Sequence, residues 1–347
     1  MFKQAHKIST LIASAGALLA GMAGSAAAAE LQVLQRYPLG GEGGWDYLSY
    51  EPQSHRLFIS RGQHVQVVDP RSGAQVGDIP DTPGVHGIAL AADQGKAFIS
   101  NGRDNSVSVV ALASLTTLHK IPTPAGENPD FIAYDESTQR VVAFNGRTHN
   151  ASVIDAKADK LLATVELAGK PEAGVADGRG QMFVDIEDKN VLQSIDLKTQ
   201  AVTATWPLAG CDEPSGLAMD RATRRLFVGC HNKTLLVVDA DSGKTVARLD
   251  IGDGVDANVF DAERKLAFSS QGDGTLSVIQ ESAADRFALK QTVPTARGAR
   301  TMALNAVDHQ VYLVTAEFDE QPPAAGQTRP RRTMKPGSFT LLVVGEK

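Results

Sequence analysis

Lys96-Ala97-Phe98-Ile99-Ser100-Asn101, followed shortly by Ser106-Val107-Ser108-Val109-Val110, decides how this chain is read. The first run carries a basic residue, an apolar stretch, and then small or polar residues. Six further segments repeat it: Arg56–Ser60, Arg140–Phe144, Gln181–Asp185, Arg225–Gly229, Lys265–Ser269 and Gln310–Val314. Their second residues stand at 57, 97, 141, 182, 226, 266 and 311, steps of 40 to 45 residues. A period in the low forties, built of short β-branched and aromatic runs, fits four strands per repeat. No repeat holds an amphipathic helical stretch of useful length, so the pattern predicts an all-β fold, a seven-bladed β-propeller.

Each repeat adds a second apolar run, such as Val65–Asp69 or Leu235–Asp239, then a turn such as Arg71-Ser72-Gly73 or Asp241-Ser242-Gly243. Glycine suits such a turn because it takes positive φ without a Cβ clash. The innermost strands are expected to begin near Tyr47, Gly87, Phe131, Gly174, Gly216, Asn258 and Thr301. The last repeat ends on Ser338–Val344 as a third strand and has no fourth. Leu31–Leu39 can supply that strand and close the ring, removing two exposed sheet edges.

The chain begins with Lys3 and Lys7, an apolar run from Ile8 to Ala23, and the small residues Ser25–Ala29. This is the pattern of a secretory signal, residues 1–29, cleaved before Glu30. The expected product is one propeller domain, residues 30–347, in the periplasm or secreted, acting as a monomer. Cleavage removes two lysines and no carboxylate, making the formal charge of −6 two units more negative. An acidic body repels phosphate backbones, so nucleic acid is a poor partner. No later stretch is long and apolar enough to span a bilayer.

Cys211 and Cys230 are the only cysteines. They lack the spacing of a CxxC or haem-attachment motif, and an oxidising compartment favours a bridge between them. Both fall on one face of the fifth repeat, where a disulfide is geometrically reasonable.

In a propeller the residues opening the inner strands converge on the mouth of a central channel. Around this ring they are Asp46, His86, Asp130, Glu172, Ser215, Asp256 and Arg300. That charge density suits a small polar ligand, an amine, a cation or a protein partner. His86 and His231 are the candidate catalytic bases or metal ligands on this face, while His149 is expected to be solvated. Asn101 and Asn145 end second strands, where their amides are expected to bond loop backbone. One long insertion, Asp319–Gly337, is Pro-rich and basic, with Arg329, Arg331, Arg332 and Lys335. It reads as a lid, a docking arm or a structureless loop. There is no phosphate loop, no Gly-x-Ser-x-Gly and no His-Glu-x-x-His, so no organic cofactor is implied.

The runs Phe98–Asn101, Asn105–Val110 and Gly126–Ala133 resemble the YVTN repeat of YncE-like propellers. The resemblance covers nearly all of the chain beyond the leader; it implies the fold and says little of function. Cys230 departs from it by taking the position that Asn101 and Asn145 hold elsewhere. A shorter stretch, Gly41-Glu42-Gly43-Gly44-Trp45-Asp46, resembles the opening of gluconolactonase-type propellers, without their proline. That resemblance implies a divalent metal ion on Glu42, Asp130 and Asp185 in a lactonase or related hydrolase. A lyase on the same scaffold, with His231 as base, is a further reading. The reading favoured from the residues themselves is a binding module with a charged mouth.

Overall fold

A computed structural model describes residues 1–2, 30–283, 285–321 and 331–347. The expected signal segment and the tip of the insertion lie outside the described residues. The chain forms seven four-stranded antiparallel sheets in a ring, plus one two-stranded hairpin. The sheet built on Leu48–Glu51 is blade 1, and the chain proceeds in order to blade 7. No helix of the described residues is long and apolar enough to cross a membrane.

The second and third strands of each blade are apolar and almost wholly buried, as in Lys96–Asn101 and Ser106–Ala111. Outer strands alternate between exposed and half-buried residues, as in Ala201–Pro207. This is the period-two signature of a sheet with one face wet. Each second strand buries one aromatic: Phe58, Phe98, Phe144, Phe183, Phe227, Phe268 and Tyr312. The apolar core is therefore divided among the contacts between neighbouring blades. Phe98 of blade 2 packs with Ile132, Val141 and Ala143 of blade 3, and Phe58 of blade 1 packs with Ile88, Ala97 and Ile99 of blade 2.

The ring closes as the sequence predicts. Leu31–Pro38 pairs antiparallel with Thr340–Glu346 and becomes the outer strand of blade 7. The third strand of that blade starts at Thr340 rather than Ser338, whose hydroxyl instead donates to the Lys335 carbonyl in the preceding turn. Tyr312, Val314 and Phe339 of blade 7 pack against Leu48, Leu57 and Ile59 of blade 1, so the seam has a core like any other. Cys211 and Cys230 form the expected disulfide within blade 5.

The inner strands of blades 2 to 6 start two or three residues earlier than the pattern suggests, at Val85, Pro129, Pro171, Pro214 and Val255. The opening residue pairs with the end of the second strand, as in Val85↔Asn101 and Pro129↔Asn145. A β-bulge then intervenes before regular pairing resumes. The extra residue in a bulge leaves the ladder and its side chain is re-aimed. His86, Asp130, Glu172, Ser215 and Asp256 all occupy this position.

Candidate functional site: a charged mouth

The loops between second and third strands meet the openings of the inner strands on one face. Gly102 N–H donates to the Gly84 carbonyl, Gly146 to Asn128, and Gly272 to Gly254. The bulges aim their side chains from this face toward the channel. A Cβ on Gly87, beside His86, would lie 2.9 Å from Ile132 and 3.2 Å from the Asp130 carbonyl. Only glycine lets blades 2 and 3 approach so closely here.

Asp46, His86 and Asp130 meet directly. His86 Nδ1 lies 2.7 Å from Asp46 Oδ2 and 3.5 Å from Asp130 Oδ1. Burial disfavours the charged imidazole, but the Asp46 hydrogen bond and the charges of Asp130 and Asp46 outweigh it and raise the His86 pKa. Burial, with Asp46 and Asp256 adding to it, pushes Asp130 up to about 6 against the pull of His86. Burial and Asp130 push Glu172 up to about 8, although Lys170 Nζ stands 3.2 Å away. Lys170 is shared with Glu187. Burial also raises Asp256, which Arg300 meets at 3.4 Å. Among the described residues, no backbone N–H donates to the carboxylates of Asp130, Glu172 or Asp256. Ser215, from blade 5, is buried and uncharged.

Tyr47 was not singled out from the sequence. Its ring meets Phe131 edge-on at 5.1 Å, and both line a small cavity of about 320 Å³ in the channel. Burial, then the charges of Glu172, Asp130, Asp46 and Asp256, hold its phenol well above its usual pKa.

The remaining candidates stand apart. Among the described residues, Asp46, His86 and Asp130 are the one group of three acidic or histidine side chains close enough to share a metal ion. Glu42 and Asp185 do not join Asp130 there. Glu42 is exposed, and its carbonyl accepts from Arg61 at 2.9 Å. The Gly40–Gly44 turn is thus held by a buried arginine, which also donates to the carbonyls of Gly40 and Gly43 and lies 3.7 Å over the Phe339 ring. Gly43, at φ 91°, faces the Arg61 carbonyl so closely that an added Cβ would stand 3.0 Å from it. Asp185 is fully buried. One of its oxygens accepts from Ala173 N–H at 2.7 Å and the other has no partner. Burial raises its pKa well above the usual range, which makes it a poorer ligand for a hard cation.

His231 lies at the rim, 2.9 Å from Glu213, and His149 is exposed as expected. The asparagines correct the sequence reading. Asn101 is buried and donates to Ser106 and Ser108, and Asn145 donates to Asn150 and Ser152. Their amides stitch second strand to third within a blade instead of bonding loop backbone, because the strand end points into the blade. Arg61 holds the same place in blade 1 and bonds Gln66.

The insertion starts as a hairpin, Phe318–Gln321 against Arg331–Met334. With Trp45, Asp46 and Arg300 it walls a second cavity of about 1160 Å³ on the same face.

No protein-family model and no curated protein sequence matches the chain. Solved structures do share its shape. A chain of Kuenenia stuttgartiensis hydrazine synthase superposes with a TM-score of 0.69 at 16% identity, over 78% of this chain and 92% of that one. The structure of U3-55K gives 0.73 at 10% identity, covering 90% and 98%. The RRP9 WD40 repeats give 0.74 at 9% identity, covering 91% and 97%. At such identities the likeness establishes the seven-bladed propeller and nothing of what it binds.

Proposed function

We propose that this chain is an exported, monomeric binding propeller of the YVTN-repeat, YncE-like kind, whose mouth captures a small cationic ligand. The observation that carries the reading is the crowding of Asp46, Asp130, Glu172 and Asp256 around one opening. Buried carboxylates gain protons when no cation compensates them. Here Asp130 rises to about 6 and Glu172 to about 8, with His86, Lys170 and Arg300 at the edges. A bound cation replaces those protons. A divalent ion held by Asp46, His86 and Asp130 is the simplest such ligand, and an organic ammonium against Glu172 and Asp256 is the alternative chemistry.

Export is supported by the leader-like residues 1–29 and by the disulfide, which an oxidising compartment maintains. The hydrolase built on Glu42, Asp130 and Asp185 is not favoured, because those three carboxyls do not share a site. The test is to titrate purified protein with manganese ion and, separately, with a small primary amine. Binding must weaken in Asp130→Asn and Glu172→Gln while the melting transition stays intact. Unchanged affinity in both variants would remove the mouth as the site.

A further inference from the structure

The acidic centre is not the only feature on this face. The larger cavity, between blades 6, 7 and 1 and the hairpin, has the opposite character. Arg36, Arg297 and Arg300 line it, and they are poorly matched by acid. Among the described residues the Arg297 guanidinium has no hydrogen bond or ion pair. Arg36 reaches only the Thr295 carbonyl, at 3.2 Å. Arg300 meets Asp256 at 3.4 Å while remaining 56% exposed. By contrast, the cations of the hairpin wall are occupied: Arg332 pairs with Glu320 and Lys335 with Glu317.

The same cavity presents two aromatic rings. Trp45, half-buried, packs on Phe339 at 5.3 Å and stands 6.0 Å from Phe318, which is 38% exposed on the hairpin. An exposed phenylalanine beside a half-buried tryptophan forms an apolar face within an otherwise polar opening. Unpaired guanidiniums recognise carboxylates through their planar fork of donors. Aromatic walls add offset or edge contacts with a flat ring beyond the area they bury. The volume of about 1160 Å³ exceeds the space a single ring needs.

We propose that this cavity is a second binding site, beside the acidic centre and sharing Asp46 and Arg300 with it, for an aromatic carboxylate: its ring lies against Trp45 and Phe318 and its carboxylate faces Arg297, with Arg36 beside it. The site needs no cation bound at Asp130 or Glu172.

The chain has two tryptophans, Trp45 and Trp206, and Trp206 lies on the outer strand of blade 4. In Trp206→Phe, fluorescence therefore reports on Trp45 alone. Titration with phenylacetate should give a saturable change, while 2-phenylethanol (the same ring without the charge) and acetate should not. Arg297→Ala combined with Arg36→Ala should weaken phenylacetate binding at least tenfold without moving the melting transition. Asp130→Asn should leave it unchanged, which separates this site from the cation site. The proposal is overturned if phenylacetate gives no saturable change, if 2-phenylethanol binds as well, or if the double arginine variant binds as before.

Discussion

The two ends of the same inner strands carry the same residue types in opposite conditions. At the end away from the mouth, Asp261 is 1% exposed, accepts from the backbone N–H of Glu263 and Arg264, and meets His309 Nδ1 at 2.7 Å. Asp135 accepts from Thr138 N–H and from the hydroxyls of Ser137 and Thr138. Asp220 accepts from Ala222 N–H, Thr223 and Lys265; despite burial these bonds lower its pKa. At the mouth, Asp46 makes a like pair with His86, yet Asp130, Glu172 and Asp256 receive no backbone donors and their pKa values rise. Each carboxylate that holds a turn takes three donors from the chain itself, although one Asp135 oxygen has no partner. Those at the mouth are left for something else to satisfy.

The sharpest way to break this contrast is to remove one carboxylate from each end. Asp261→Ala abandons two backbone donors and an imidazole in a buried place, and should cost about 3 kcal/mol in denaturant unfolding. A loss below about 0.5 kcal/mol would mean that the lower carboxylates are not structural after all. Glu172→Gln should do the reverse. Without ligand at pH 8 it should leave stability unchanged or raise it by up to about 1 kcal/mol, because it removes a crowded charge. A large loss would place Glu172 among the structural acids.

A smaller effect sharpens the same point through pH. Asp130 and Glu172 are raised from about 4 to about 6 and about 8, so the folded state holds protons that the unfolded state has released. Their contribution is present below the unfolded pKa values and is lost as pH rises through the folded ones. His86, raised too, acts with the same sign. Melting temperature should therefore fall by a few degrees between pH 5 and pH 8, and that fall should shrink to the share of His86 in the Asp130→Asn, Glu172→Gln double variant. A rise across the window, shared by the double variant, would contradict the assignment.

The repeats, the closing strand and the disulfide were legible in the sequence because each rests on a local apolar pattern or on counting positions around the ring. Counting also found Asp46, His86, Asp130, Glu172, Asp256 and Arg300. The bulges were not legible, since a bulge depends on how a strand pairs with its neighbour and not on its own composition. The role of Asn101 was misread for a similar reason: its partners, Ser106 and Ser108, lie across the blade. Glu42 followed a short motif whose glutamate turns outward once Arg61 captures the loop's carbonyls. The aromatic, arginine-lined cavity draws Arg36, Trp45, Arg297 and Phe318 from opposite ends of the chain, which only ring closure brings together.

Proton-coupled cation binding at the mouth tests the central claim most directly. Isothermal titration with manganese ion and with a primary amine, at pH 8 and pH 5, reads both affinity and protons released. The account predicts one cation per chain at pH 8, with net proton release and affinity at least tenfold weaker at pH 5. Glu172→Gln and Asp130→Asn should each weaken binding at pH 8. Failure of both cations to bind at pH 8, or equal affinity at the two pH values, would contradict it.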